Sequence, residues 1–389
     1  MFSLLLAVIY ISFISLGLPD ALLGSAWPVM YAEMQVPVSY SGIIFMVISV
    51  GTVISSLNSD RLTRRLGTAK VTAISVAMTA LALFGFSLSH SFSALCLWAI
   101  PYGLGAGSVD ACLNNYMALH YESRHMSWLH CMWGLGVTIG PYILAQALTH
   151  GMTWNMGYRF IGVFQTILTS ILLLSIPLWK TTTPENSEHH NSKPANFLQL
   201  LSIPGVTETM MIFFCYCSLE QTVGLWSSSY LVFHRNIPEE IAAGFGALFF
   251  IGITVGRFLS GFLTMRLRDQ SMVWLGLGII TVGISLILLP LGDFSALAGL
   301  IFVGLGCAPV YPCLIHATPH HFGEDHSQAL IGLQMASAYV GTSLLPPFFG
   351  VAADWIDIAL FPAYLLVLLL IMVFMHRRLC LLVSHNTAY

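Results

Sequence analysis

The sequence predicts an all-α membrane protein with twelve transmembrane helices in two pseudo-symmetric six-helix bundles. Three observations predict it. Of 389 residues, 57% are apolar and only 8% charged, against about 25% charged in an ordinary soluble domain. Apolar runs of the roughly 20 residues that a bilayer crossing requires recur twelve times between short polar turns. Lys and Arg collect in alternate turns, on one side of the expected bilayer. So few charges could not cover a soluble surface, which excludes a cytosolic enzyme, a nucleic-acid binder and a disordered regulator.

The spans fall near 4–31, 38–59, 69–89, 92–119, 127–150, 158–178, 204–233, 240–263, 271–291, 294–317, 327–352 and 358–383. No basic residue precedes the first run and no small-residue cleavage site follows it, so it is expected to persist as a helix rather than leave as a signal peptide. Turns such as Asp60 to Arg65 and Arg266 to Asp269 are short, so neighbouring helices run antiparallel, and the alternation of a β-barrel is absent. The stretch 180–197 carries Pro184, Pro194, Glu185, Glu188, His189 and His190. It reads as a solvated linker and divides the chain into an N-terminal bundle, 1–179, and a C-terminal bundle, 198–389. The eight Cys lack any CxxC spacing and read as small membrane-core residues.

With the N-terminus inside, the inner turns and tail hold Arg61, Arg64, Arg65, Lys70, Arg124, Lys180, Lys193, Arg266, Arg268, Arg377 and Arg378. The outer turns hold only Arg159 and Arg235, and Arg257 lies within a span. Eleven against two predicts cytoplasmic termini for a multi-pass protein of the cell membrane.

Three acids lie well inside spans: Asp20, Asp110 and Glu220, in spans 1, 4 and 7. Each costs about 2.5–3.5 kcal/mol at mid-membrane on insertion scales, so each must face the bundle interior or water. Only Arg257, toward the end of span 8, offers a cation at comparable depth. Burial disfavours the charged form of a carboxyl group, so an acid reached alternately from two sides can carry a proton. Pro19 favours a helix break beside Asp20, which would free backbone groups. Helical spacing puts Gly24, Trp27 and Tyr31 on the face of Asp20, and Gly103, Gly107 and Asn114 on that of Asp110, with Asn115 beside it. Tyr216, Gly224 and Ser227 share the face of Glu220, with Gln221, Trp226 and Tyr230 nearby. Aromatic rings beside amides and carboxyls suit a sugar, stacking on its apolar face while the polar groups bond hydroxyls. His130, Trp133, His316 and Gln334 are the remaining buried polar candidates for a solute. His316 and His320 have a spacing that could hold a metal, but no third ligand is fixed by the sequence, and no metal is expected.

The halves echo each other. Gly103-Leu104-Gly105-Ala106-Gly107 in span 4 answers Gly304-Leu305-Gly306 in span 10, and Gly140-Pro141 in span 5 answers Gly341 with Pro346-Pro347 in span 11. The Gly run sits in a span with no preceding strand, so it is no dinucleotide fingerprint; small residues in a span allow close helix crossing. Repeats of this kind place a solute site between halves at mid-membrane. After span 2, Asp60-Arg61 with Arg64-Arg65 and Gly67 resembles the signature loop of the major facilitator superfamily, and with the six-plus-six spans and linker the resemblance covers essentially the whole chain. Thr68-Ala69-Lys70 stands where a basic pair usually follows the Gly. Within that superfamily, Ser108 to Asn115, Trp128 to Gly136 and Gly306 to Pro312 resemble the fucose permease group of sugar–proton symporters. The resemblance implies the major facilitator fold, spans 1, 4 and 7 around a central cavity, and proton handling by acids of spans 1 and 4, matched here by Asp20 and Asp110. Asp60, Arg61, Arg64 and Arg65 would form a charge latch that holds one conformation and breaks in another.

The expected function is secondary active transport of a small polar solute, a sugar, by proton-coupled alternating access. The alternatives are proton-coupled efflux of drugs or amphipathic compounds, since Gly136-x-x-x-Gly140-Pro141 partly matches an antiporter stretch, and sodium-coupled sugar uptake. No GxxxxGK[ST] loop is present, so ATP is not the expected driver. The expected partners are the solute, a proton or sodium ion and membrane lipids, for a monomer with no enzyme activity, cofactor, metal or nucleic acid.

Overall fold

The computed structural model describes residues 4–37, 40–180, 197–237, 239–289 and 292–386. Among these residues there is no strand. Fourteen α-helices follow in order: α1 Leu4–Gly17, α2 Leu22–Met34, α3 Tyr40–Leu66, α4 Thr68–Leu88, α5 Phe92–His120, α6 Ser123–Thr149, α7 Trp154–Lys180, α8 Phe197–Leu201, α9 Val206–Phe233, α10 Glu239–Leu263, α11 Asp269–Leu288, α12 Asp293–Phe322, α13 Glu324–Trp355 and α14 Phe361–Asn386. α1 and α2 together make span 1, broken at residues 18–21 where Pro19 predicted a break. Leaving out the short α8, this is the twelve-helix plan. Ten described helices are long and apolar enough to cross a membrane. α9, which carries Glu208 and Glu220, falls outside that group, and within α10 the stretch Leu248–Leu263 is apolar.

Several helices outrun their expected ends. α3 continues to Leu66 and α12 to Phe322, and Arg64 and Arg65 fill the last turn of α3, where cations favour the negative end of the helix dipole. The turns shrink accordingly: Gly67 alone separates α3 from α4, and Gly323 alone separates α12 from α13. Both have φ near +80 to +90° (79° and 87°), a left-handed conformation that a Cβ would strain.

The chain forms two compact units. The first comprises residues 1–116 and 129–195; the second comprises 117–128 and 196–389. The α5–α6 turn thus groups with the C-terminal helices rather than with its own bundle. Ser123 bonds Asp269, His316 bonds the Tyr121 carbonyl, and the Trp128 indole donates to the Phe258 carbonyl. The expected linker lies outside the described residues except at its ends.

In the first unit α5 is pressed against two neighbours. A Cβ at Gly103 or Gly107 would strike the carbonyls of Ile48 or Thr52 on α3, and one at Gly105 would strike Ser75 on α4. Gln165 on α7 accepts from the Thr79 hydroxyl at 2.7 Å and donates to the Ser15 carbonyl at 3.0 Å, tying α7 to α4 and α1. The second unit repeats the pattern internally: Gly304 meets the Phe249 carbonyl on α10, and Gly306 meets Gly276 and Ile280 on α11. The Gly echo of the two halves therefore corresponds to one helix-crossing geometry used in both.

Candidate functional site

Small residues place the first acid. Gly17 at the end of α1 faces the Trp133 carbonyl, and Gly136 and Gly140 on α6 face the carbonyls of Ile14 and Leu18. With no Cβ between them, α6 lies directly on the broken end of α1. This packing explains Gly136-x-x-x-Gly140 without reference to direction of transport. It brings the Trp133 indole Nε1 to 2.8 Å from Asp20 Oδ2. From α5, the Tyr102 hydroxyl donates to Asp20 Oδ1 at 3.3 Å. Asp20 itself sits in the break and remains exposed, so water reaches a carboxyl group inside span 1 whose two hydrogen-bond donors are neutral.

The second acid is enclosed. Asp110 is buried on α5, and Asn114 one turn later donates to its Oδ1 at 2.8 Å. The Asn114 carbonyl oxygen lies 3.1 Å from His130 Nε2 on α6. The Phe13 ring of α1 meets the His130 ring edge-on at 5.4 Å. Asp110, Asn114 and His130 therefore form one buried chain across two helices, with Asn115 buried beside it.

Glu220 differs from the other two acids. Arg257 on α10 is buried, and its Nη2 lies 3.5 Å from Glu220 Oε1. The cation noted in span 8 is thus its partner. Gln221 beside it is exposed.

Four expected solute contacts have other occupations. Trp27 is packed in the apolar core of the first unit with Leu22, Met30 and Trp154. Trp226 donates to the Pro346 carbonyl at 2.9 Å and packs on Phe349, joining α9 to α13. Gln334 donates to Thr318 at 2.9 Å, joining α13 to α12. His316 is held between Asp269 Oδ2 at 2.6 Å and the Tyr121 carbonyl at 3.0 Å. These side chains serve helix contacts, and spacing along one helix could not reveal partners contributed by another. Trp133, by contrast, is only partly buried. In the signature loop, Arg64 Nε donates to both oxygens of Asp60, at 2.9 and 3.0 Å, along one helix, while Arg61 and Arg65 are exposed.

Sequence reasoning missed Tyr102. It stands two helical turns before Asp110, so carrying the α5 face further back, through Ala106, would have found it.

Comparison with known proteins places this geometry in a family. The chain is 24% identical over 288 residues to Bypass of stop codon protein 6 of Saccharomyces cerevisiae, a match covering 67% of this chain and 57% of that one. It is 23% identical over 368 residues to a probable nitrate/nitrite antiporter, NarK1, of Thermus thermophilus, covering 86% and 80%. It is 23% identical over 259 residues to the glucose/mannose transporter GlcP of Bacillus subtilis, covering 62% and 60%. The chain thus spans less than two thirds of the yeast and Bacillus relatives. Among solved structures, a transporter named FucP in the outward conformation superposes with TM-score 0.76 at 15% identity, covering 97% of this chain and 98% of that one. The human organic anion transporter MFSD10 superposes with TM-score 0.70 at 15% identity, covering 94% and 98%. At such identity the superpositions speak for the fold. The sequence model of the Major Facilitator Superfamily matches residues 9–346, and the chain belongs to that superfamily of membrane transporters.

Proposed function

We propose that the protein is a symporter that moves a small polar solute, a sugar, together with a proton by alternating access, with Asp20 as its first proton and solute contact. The observation that carries this reading is the setting of Asp20: water-exposed at a helix break, and bonded by the neutral indole of Trp133 and the phenol of Tyr102. Such a carboxyl can gain or lose a proton without breaking an ion pair. Unwound backbone and a broken span are common features of transporter solute sites. The half-buried Trp133 ring offers a stacking surface beside it. Asp110, linked through Asn114 to His130, is the second proton position. Asn115, buried beside that chain, adds a further polar contact, and Asp60 with Arg61, Arg64 and Arg65 forms the conformational latch. The names of two similar proteins, a glucose/mannose transporter and a fucose:proton symporter, support sugar and proton. The basic-residue bias supports a cell-membrane protein with cytoplasmic termini.

The test has two stages. Purified protein is screened by thermal shift against neutral sugars, sugar acids and cationic amphiphiles, because only ligands of the folded state raise its stability. Stabilisation by cationic amphiphiles alone would point to efflux and overturn the sugar reading. The stabilising sugar is then followed in vesicles carrying wild type or Asp20→Asn. The variant should exchange labelled for unlabelled sugar yet fail to accumulate it on a pH gradient. Wild-type accumulation by Asp20→Asn would remove the coupling role from Asp20, and accumulation on a sodium gradient alone would replace the proton.

A further inference from the structure

The Gly103-Leu104-Gly105-Ala106-Gly107 run has a consequence on the outer surface of the first unit. Its glycines alternate between neighbours, Gly103 and Gly107 against α3 and Gly105 against α4. α5 is drawn inward by both contacts, while α3 and α4 stand on either side. The result is a groove of about 270 Å³ whose walls are Ile54, Leu62 and Leu66 of α3 and Val71, Ile74 and Met78 of α4. Its floor is Leu104 of α5, with the hydroxyls of Ser55 and Ser108 bonded to each other and Ser55 donating to the Leu104 carbonyl. No charged residue lines it.

Charge gathers at one end. Arg65 follows Leu62 by three positions and Lys70 precedes Ile74 by four, so both lie on the groove side of their helices. Arg61, three after the lining residue Asn58, joins them. All three are exposed and none forms an ion pair among the described residues, whereas Arg64 is engaged with Asp60. From Ile54 to Leu66 the α3 wall is about 18 Å long at 1.5 Å per residue. One leaflet of a bilayer core is about 15 Å thick.

We infer that this groove is a binding site for one anionic phospholipid, its acyl chain lying between α3 and α4 and its headgroup phosphate held by Arg61, Arg65 and Lys70. The groove matches a chain of one leaflet in length and polarity, and the basic cluster complements a negative headgroup at the end where a headgroup would sit. The site is independent of what the protein transports.

The full-length protein is purified in detergent and titrated with phosphatidylglycerol or with phosphatidylcholine of identical chains, with bound lipid counted by native mass spectrometry. Wild type should retain one phosphatidylglycerol in preference to phosphatidylcholine. The Arg65→Gln/Lys70→Gln double variant changes only exposed side chains; it should lose that preference by roughly fivefold per charge removed. Ile74→Trp fills the groove and leaves every charge in place; it should abolish retention of the tight lipid. Equal retention of the two lipids by wild type would overturn the site. So would an undiminished preference in the double variant. Undiminished retention by a folded Ile74→Trp protein would show diffuse charge attraction instead of a groove. Should Ile74→Trp not fold, Ile54→Trp fills the opposite wall and is read in the same way.

Discussion

The contact of α6 with the end of α1 can be weighed by adding one methyl group. In Gly136→Ala the new Cβ would overlap the Ile14 carbonyl oxygen and stand 3.0 Å from the Leu18 nitrogen and 3.1 Å from the Gly17 carbonyl carbon. All three are backbone atoms, so no side chain can rotate away and the helices must separate. Overpacking of this kind costs roughly 1–3 kcal/mol. Gly24→Ala on α2 is the matched control, because nothing lies within 4 Å of its Cβ. There only the helical preference of Ala over Gly remains, a gain of about 0.8–1 kcal/mol. Gly136→Ala carries the same helical gain within α6, so the two variants should differ by the overpacking cost alone, about 1–3 kcal/mol. At about 2–4 °C per kcal/mol for a unit of this size, the melting temperatures should differ by at least ~2 °C. Thermal unfolding in detergent, followed by reactivity of the buried Cys131, reads the difference. Because Trp133 is one turn from Gly136, sugar binding should weaken in Gly136→Ala and not in Gly24→Ala. Equal melting temperatures would refute the backbone contact and the account of how Trp133 reaches Asp20.

Other variants probe the remaining constellations. Glu220→Gln leaves Arg257 buried without its anionic partner and should lower stability by roughly 3 kcal/mol, most of which Glu220→Leu/Arg257→Met recovers; equal stability of Glu220→Gln and wild type would remove the ion pair. Asn114→Ala takes partners from both Asp110 and His130 and should cost about 1–3 kcal/mol, measured by chemical denaturation; a neutral result would break that chain. Single Cys residues at Lys70 and His234 should label with an impermeant maleimide only from the inside and only from the outside, respectively, and the reverse pattern would invert the topology.

The spans were legible because a bilayer demands long apolar runs, and the break at Pro19 and the small-residue crossings are local consequences of residue type. Helix ends were less legible: α3 runs on through Asp60 to Leu66 because Arg64 bonds Asp60 along the same helix and the last turn welcomes cations. For the site, a helical face identified which acids lie inside spans but not what meets them. Asp20 and Glu220 look alike along the chain. One receives an indole from α6 and a phenol from α5, and the other an arginine from α10. Trp27 and Trp226 share faces with acids while their rings pack on apolar neighbours from other helices, since a period of 3.6 says which side of a helix a residue occupies and nothing about the neighbour on that side.

The Glu220–Arg257 pair also bears on how the C-terminal half enters the bilayer. α9 and α10 are consecutive, and each carries one member of the pair within its length. Alone, each would carry a charge costing about 2.5–3.5 kcal/mol near the bilayer centre. Entering together as a hairpin, they present the lipid with a neutralised pair and bury it between their own surfaces. Insertion of this hairpin is therefore cheapest as a single event, and a chain halted between residues 233 and 239 would leave α9 at the membrane surface until α10 emerges.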